Sequence, residues 1–184
     1  MTRNTAGVTL LEFLLILALI ATVVLVGLPG LQTVVESNRA RTDVNALHSS
    51  LMLSRESAIR RGLPVVLCRT NTGGACTRSP GSWSDGWKVF EAPRGETGCA
   101  EVEPGMCDHG GTIIHVQHGT KARSGTLVHN SNIRNFVRFG PQGMAGNHNG
   151  RLTWCTADGR PERGLVILRT GRVRTAARHE FLDC

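Results

Sequence analysis

The stretch GVTLLEFLLILALIATVVLVGLPG, from Gly7 to Gly30, dominates the N-terminal part of this 184-residue chain. Glu12 is the only charged residue between Val8 and Leu28. As a helix, this apolar run is about 31 Å long, which matches a bilayer hydrocarbon core of about 30 Å. A secretory signal peptide has a shorter apolar region followed by a small-residue cleavage site, and the sequence has neither feature. The stretch therefore predicts a transmembrane helix over residues 8–29 that remains as an anchor.

Glu12 is an expensive residue in such a segment. A carboxylate inside a bilayer costs at least about 2.5–3.5 kcal/mol on insertion scales, so it is a functional candidate. The alternative is an interfacial residue near the start of the run that reaches the lipid headgroups. Position alone does not separate these two interpretations.

The residues around Glu12 favour a functional role. Residues 1–7, MTRNTAG, form a short polar leader and are followed by Val-Thr-Leu-Leu-Glu-Phe. This pattern closely resembles the processing site of type IV pilins and pseudopilins. The resemblance implies that a prepilin peptidase cleaves after Gly7 and methylates the amine of Val8, so that Glu12 becomes the fifth residue of the mature chain. Val8 departs from the family pattern, in which the first mature residue is usually Phe.

We expect Glu12 to act in assembly. In an assembling filament it pairs with the N-terminal amine of a neighbouring subunit, and each charge then offsets part of the other's insertion cost. The expected partners are the prepilin peptidase and other minor and major pilins or pseudopilins, contacted through the N-terminal helix. The expected location is the bacterial inner membrane, with one span and a periplasmic head, and then the tip of a pilus or pseudopilus.

Downstream of Gly30 the pattern changes twice. Apolar residues recur every three or four positions from Leu31 to Ala58, which predicts an amphipathic helix that ends near Arg61. Seven short β-type runs follow: PVVLCR, WKVFE, GTIIHVQ, GTLVHN, NFVRFG, RLTWC and GLVILRT. The segments 72–86 and 92–111 are predicted as loops. The predicted organisation is a leader (1–7), a transmembrane helix (8–29), an amphipathic half of the same helix (30–62) and a β-rich head (63–184).

Three stretches of the head resemble the GspH/FimT group of pilin-like proteins. They are SRESAIRRGLPVVLC (54–68), Trp83 with GWKVF (86–90), and VRFGPQGMAG with the following RLTWC and LVILRTGRVR. The resemblance implies an α+β fold in which a long N-terminal helix packs on an antiparallel β-sheet head.

Six cysteines all lie downstream of residue 67: Cys68, Cys76, Cys99, Cys107, Cys155 and Cys184. Their spacing fits zinc ligation poorly, and an even number behind a membrane segment favours three disulfides in an oxidising compartment. Fifteen pairings are possible. Short-loop closure favours Cys68–Cys76 and Cys99–Cys107, which leaves Cys155–Cys184.

Charge is distributed unevenly along the head. Residues 76–109 carry three basic and six acidic side chains, net −3, whereas residues 110–184 carry eleven basic and four acidic, net +7. This asymmetry indicates an acidic partner for the C-terminal part, or else only a solvated face. Genomic base composition is a further explanation of the excess of Arg over Lys.

The C-terminal LVILRTGRVRTAAR predicts a hairpin with its turn at Thr170-Gly171. A regular second strand would place Arg172, Arg174 and Arg178 on one face, where guanidinium groups suit phosphate contacts. Three other arginines extend this predicted patch: Arg151, Arg160 and Arg163. In a chain rich in Gly and Arg, the pattern Gly-Arg-x-Arg is weak evidence of DNA binding on its own. However, Gly171-Arg172-Val173-Arg174 resembles a DNA-binding motif of some FimT-type minor pilins, in the corresponding place.

Three functions are compatible with these features. The first is a minor type IV pilin of FimT or FimU type that helps initiate the pilus and binds double-stranded DNA for natural transformation. The second is a GspH-type pseudopilin of a type II secretion system, with a structural role only. The third is a membrane-anchored enzyme, which is disfavoured because no catalytic or cofactor motif occurs. Cys107-Asp108-His109 is better explained by a disulfide with polar neighbours than by a metal or nucleophile cluster, so we expect no catalytic residue, metal or cofactor.

Overall fold

The computed structural model describes residues 9–70, 75–76, 82–93, 95–119 and 125–184, apart from the side chains of residues 26–33. One helix, α1 (Leu10–Arg61), precedes all the strands. Within the described residues ten strands follow: β1 (Val65–Arg69), β2 (Gly86–Glu91), β3 (Glu101–Glu103), β4 (Met106–Cys107), β5 (Ile113–His118), β6 (Gly125–His129), β7 (Phe136–Phe139), β8 (Gly150–Thr156), β9 (Pro161–Ile167) and β10 (Val173–Thr175). Short 3₁₀ turns occur at Trp83–Asp85, Ser131–Ile133 and Arg178–Glu180.

The chain divides into two compact units between Asn38 and Arg39. The first unit contains the N-terminal part of α1, in which the apolar side chains from Leu10 to Leu25 are exposed. Gly7 and Val8, the predicted processing site, lie outside the described residues. Among the described residues, no helix is long and apolar enough to cross a membrane.

The second unit begins with the amphipathic half of α1. Its buried side chains repeat every three or four residues, so that one stripe of the helix faces the core. These side chains are Ala40, Val44, Leu47, Leu51, Ser54 and Ala58. The sequence prediction for this stripe is confirmed from Ala40 onward, whereas Val34 and Val35 are exposed. The end of the helix at Arg61 is also as predicted.

Two antiparallel four-stranded sheets pack against this stripe. The first sheet has the strand order β5-β2-β1-β7 and the second has the order β10-β9-β8-β6. In the first sheet Leu67 of β1 lies between Val89 and Val137, and in the second Leu165 of β9 lies opposite Leu152. The inward-facing side chains of both sheets form one core with the helix stripe. The α+β fold predicted from the sequence is therefore confirmed.

The outer face of the first sheet is covered by the segment between β2 and β5. Cys99 and Cys107 from this segment pack with Phe90 and Cys68 in a second apolar cluster. The hairpin β3–β4 lies in this segment, which the sequence predicted only as a loop. The other predicted strands are confirmed, and their cross-strand partners are all antiparallel.

All six cysteines are paired as loop length favoured. The bonds are Cys68–Cys76, Cys99–Cys107 and Cys155–Cys184. The first two close short loops on the first sheet, whereas Cys155–Cys184 joins β8 to the last residue of the sequence. The C-terminal segment is therefore covalently attached to the second sheet.

We predict that Cys155–Cys184 stabilises the fold more than Cys99–Cys107. The two bonds connect residues 29 and 8 positions apart, so chain entropy assigns them about 3.6 and 2.5 kcal/mol. Replacing each cysteine pair by serine should lower the free energy of unfolding, and the loss should be larger for the Cys155–Cys184 pair than for the Cys99–Cys107 pair. Urea denaturation of the full chain in detergent measures it, with the fluorescence of the buried Trp83, Trp87 and Trp154 as the signal. A larger loss from the Cys99–Cys107 pair would contradict the assignment.

Candidate functional site

Glu12 lies in the first turn of α1 and is exposed. Its backbone N–H donates to Thr9 Oγ1 at 3.3 Å, and the N–H of Phe13 donates to the Thr9 carbonyl at 3.1 Å. Thr9 thus caps the helix, and Thr-x-x-Glu has the spacing of a capping box. This local signal was readable in the sequence and was missed there. The bond to Thr9 uses the backbone N–H of Glu12; in a full capping box the Glu side chain would also accept from the N–H of Thr9, a role compatible with a second one in assembly.

The tip of the β9–β10 hairpin is a tight turn as predicted. The N–H of Gly171 donates to the Leu168 carbonyl at 2.8 Å, and the N–H of Leu168 donates to the Arg172 carbonyl at 2.9 Å. Gly171 has a φ of 78°, in the left-handed region that favours glycine. A Cβ on Gly171 would lie only 1.8 Å from the carbonyl oxygen of Gly143. This glycine is therefore required by the packing of the turn against the loop between β7 and β8, residues 140–149.

The same loop connects the hairpin to α1. Arg55 Nε donates to the Gly143 carbonyl oxygen at 3.1 Å. This is the same oxygen atom that leaves no room for a side chain at Gly171. The N–H groups of Ala145 and Gly146 both donate to the carbonyl of Arg169 at 3.1 Å. The start of the predicted Gly-Arg-x-Arg motif is therefore held between the helix and the loop.

The two motif arginines have different environments. Arg172 is exposed, and its guanidinium has no partner among the described residues. Arg174 is partly buried, and its two terminal nitrogens donate to the two carboxylate oxygens of Glu180 at 2.7 and 2.5 Å. Glu180 also accepts from the N–H of Ala177 at 2.8 Å. Only Arg172 of the motif is free to meet a ligand.

This pairing controls the ionisation of Glu180. The hydrogen bonds from Arg174, and then the one from the N–H of Ala177, lower the pKa of Glu180 to about 2. The same bonds raise the pKa of Arg174 above its ordinary value. Glu180 is therefore ionised throughout the physiological range, and its charge neutralises that of Arg174.

Arg178 lies outside the second strand of the hairpin. Strand β10 ends at Thr175, and Arg178 begins the 3₁₀ turn that follows. The predicted alternation holds around Val173, whose side chain enters the core, but it does not extend to Arg178. Arg178 is exposed and, like Arg172, is unpaired within the described part of the chain.

The other predicted arginines do not form a continuous patch. Arg160 is exposed and contacts Asp158, with an N···O distance of 2.6 Å. Arg163 is half-buried opposite the core residue Trp154, and its Nε is buried without a hydrogen bond to any described residue. Because Leu165 also faces the core, Arg163 lies on the face of the second sheet opposite to Arg174. Arg151 donates to the carbonyl of Glu180 at 3.1 Å.

No arrangement typical of catalysis is found among the described residues. The described part of the chain contains no group of three or more histidine, cysteine or carboxylate side chains that could hold a metal ion. One open groove of about 390 Å³ lies between α1 and β5. It is lined by Ala46, Ser49, Ser50, Leu53, His115 and Gln117, and this lining has no carboxylate and no cysteine.

Comparison with known proteins places this geometry in a family. Residues 43–171 match the family model of the type II transport protein GspH, which is more than half of the chain. The chain belongs to the GspH family. The match begins in the amphipathic half of α1 and ends at Gly171, so the arginines that follow this glycine lie beyond it.

Solved structures support the same fold. The chain is similar to the type IV minor pilin FimU of Pseudomonas aeruginosa in two crystal forms. For one form the TM-score is 0.53 at 14% identity, with 76% of this chain and 90% of FimU covered. For the other the TM-score is 0.51 at 13% identity, with 74% and 92% covered. A search of curated proteins found no match. The family is that of a transport-system component and not of an enzyme, so this chain is not an enzyme.

We predict that Gly171→Ala destabilises the protein more than Gly159→Ala. Both glycines have a positive φ, 78° and 76°, but a Cβ on Gly159 would meet nothing within 4 Å. Gly159→Ala should cost about 1–2 kcal/mol from backbone strain alone. Gly171→Ala adds the overlap with the Gly143 carbonyl, and we expect an additional loss of about 1–3 kcal/mol. Urea denaturation gives both values, and equal losses would refute the close contact.

Proposed function

We propose that this GspH-family protein is a minor pilin of FimT or FimU type that takes part in initiating a type IV pilus. The observation that carries the proposal is the pilin-like head, folded on the amphipathic half of a helix whose N-terminal half exposes apolar side chains. An exposed apolar surface of this kind needs lipid or another apolar helix as its environment. Filament assembly through the N-terminal helix supplies both.

The N-terminal events follow the pilin pattern. A prepilin peptidase removes residues 1–7 after Gly7 and methylates Val8, and residues 8–29 are inserted in the inner membrane. Glu12 then faces the N-terminal amine of a neighbouring pilin or pseudopilin. The sequence pattern, the position of Glu12 in the first turn of α1 and the exposed side chains that follow it support this proposal.

The three disulfides support a periplasmic head. Disulfides persist in oxidising compartments such as the bacterial periplasm and are rare in the cytosol. All six cysteines of the head are bonded. The head would therefore fold after export and reach the pilus tip from the periplasmic side of the membrane.

The alternative is a GspH-type pseudopilin of a type II secretion system, and the family match supports it equally. The two functions differ in the machine that loses activity when the gene is deleted. We expect the deletion strain to lose surface pili and to keep type II secretion. Loss of secretion with normal piliation would favour the pseudopilin.

DNA binding is a second candidate function of the head. The exposed Arg172 and Arg178 support it, because unpaired guanidinium groups are suited to phosphate contacts. Fluorescence anisotropy of a labelled duplex with the full chain in detergent tests it directly. Binding that weakens as salt increases is expected; absent or salt-insensitive binding would reject this function and leave the pilin proposal intact.

We predict that both Glu12→Ala and Glu12→Gln prevent incorporation into filaments, whereas Glu36→Ala does not. Gln keeps the helix-capping spacing with Thr9 but removes the charge, so it separates the two roles of the acid. The cost of an intramembrane carboxylate, about 2.5–3.5 kcal/mol, sets the scale, and we expect at least a roughly tenfold loss of incorporated subunit. Immunoblotting of sheared filaments against cell lysate measures it.

Two results would contradict the proposed role of Glu12. Incorporation of Glu12→Ala at the wild-type level would show that the acid is not needed. Normal incorporation of Glu12→Gln, with failure of Glu12→Ala, would assign the acid to helix capping alone. Glu36 lies on the same helix outside the apolar run and controls for loss of an acid in general.

A further inference from the structure

The last nine residues lie along the outer face of the second sheet. The N–H of Ala176 donates to the Gly164 carbonyl at 2.8 Å, and the N–H of Leu182 donates to Thr153 Oγ1 at 2.9 Å. The first bond continues the β9–β10 ladder, whereas Thr153 alternates with Leu152 of the core and so faces outward. A Cβ on Gly164 would lie 3.2 Å from Cδ1 of Phe181, which places this part of the segment on the outer face as well. The disulfide at Cys184 attaches the end of the segment. We call residues 176–184 the C-terminal strap.

The strap places the carboxylate of Glu180 against Arg174 of the Gly-Arg-x-Arg motif. Glu180 receives both terminal nitrogens of Arg174, and its own carbonyl receives Arg151. In the sheet, Arg151 and Arg174 are the two cross-strand neighbours of Val166, so they lie on one face. A single residue of the strap, Glu180, therefore accepts hydrogen bonds from two arginines of the outer face.

We propose that Glu180 is an autoinhibitory residue of the basic surface: it fills the guanidinium fork of Arg174 in the place of a phosphate and leaves Arg172 and Arg178 as the arginines that bind nucleic acid. The inference rests on the DNA-binding function proposed above. It assigns a different role to each arginine of the motif, although they are separated by one residue.

The geometry explains why DNA does not simply displace Glu180. A guanidinium fork binds one carboxylate or one phosphate through two parallel hydrogen bonds, and both are already made within the chain. The carboxylate is held in position by the N–H of Ala177 and by the anchored strap. A DNA phosphate that displaced the Glu180 carboxylate from Arg174 would also lie close to the negative charge of that carboxylate. Arg172 has neither obstacle.

Titration of a labelled 20-base-pair duplex with the full chain in detergent tests the proposal, by anisotropy over a salt series. Each phosphate contact contributes about −0.9 to the slope of log K against log salt, which is about fivefold in affinity at 150 mM salt. Arg172→Gln should therefore weaken binding about fivefold, and Arg174→Gln by less than about twofold. Glu180→Gln should strengthen binding about fivefold and steepen the slope by about 0.9.

Asp183→Asn is the matched control. Asp183 is an exposed acid of the same strap, and its removal changes the net charge as Glu180→Gln does. We expect a smaller gain from Asp183→Asn, since it releases no arginine. The double variant Arg174→Gln/Glu180→Gln should lose the gain of Glu180→Gln. Equal gains from the two acid variants, or equal losses from Arg172→Gln and Arg174→Gln, would overturn the proposal.

A labelling experiment keeps the inference testable if the wild-type chain binds no DNA. Phenylglyoxal modifies free guanidinium groups, and peptide mass spectrometry gives the rate at each arginine. We expect Arg172 to react at least about tenfold faster than Arg174 in the wild type, and the two rates to converge in Glu180→Gln. If the chain binds no DNA but shows this labelling pattern, the DNA-binding function is rejected and the pairing of Arg174 with Glu180 is retained. Equal labelling rates of Arg172 and Arg174 in the wild type would reject the autoinhibition itself.

Discussion

The apolar stripe of α1 from Ala40 to Ala58 is the contact on which the head depends. The inner faces of both four-stranded sheets share one core with this stripe, so the helix covers apolar side chains of each sheet. One helix therefore brings together two sheets whose strands come from distant parts of the sequence. The loop at Gly143 extends this arrangement, since it contacts Arg55 of the helix and the hairpin tip at Gly171. The position of the candidate binding residues is thus set by helix packing.

The Gly-Arg-x-Arg motif has a structural explanation for two of its three specified residues. Gly171 is required by a carbonyl oxygen that leaves no room for a side chain, and Arg174 holds the C-terminal strap through Glu180. A chain with no nucleic-acid ligand would still need both residues. The motif therefore supports DNA binding only through Arg172, together with the exposed Arg178 of the strap. The proposed assembly through the N-terminal helix rests on other residues and does not depend on this motif.

Sequence periodicity predicted most of the fold because its causes are local. The three-to-four-residue repeat of α1, the alternating strands and the short disulfide loops each depend on nearby residues. The hairpin β3–β4 was missed because its residues Glu101, Val102 and Glu103 are all exposed and show no apolar alternation. The pairing of Arg174 with Glu180 and the position of Arg163 on the core-facing side of the sheet were also missed. Both depend on how β9, β10 and the strap pack against one another. Thr-x-x-Glu at Thr9 was a local signal that was available.

The two arginines of one motif differ in their surroundings, since Arg174 is fixed by Glu180 and Arg172 is free. Nitrogen-15 NMR of the arginine side chains measures this directly in the unmodified full chain. A bidentate carboxylate restricts rotation of the guanidinium group, so Arg174 should show separate resonances for its terminal N–H protons. Arg172 should show one exchange-averaged signal under the same conditions. Averaged signals for both arginines, or separate resonances for both, would contradict this difference between Arg172 and Arg174.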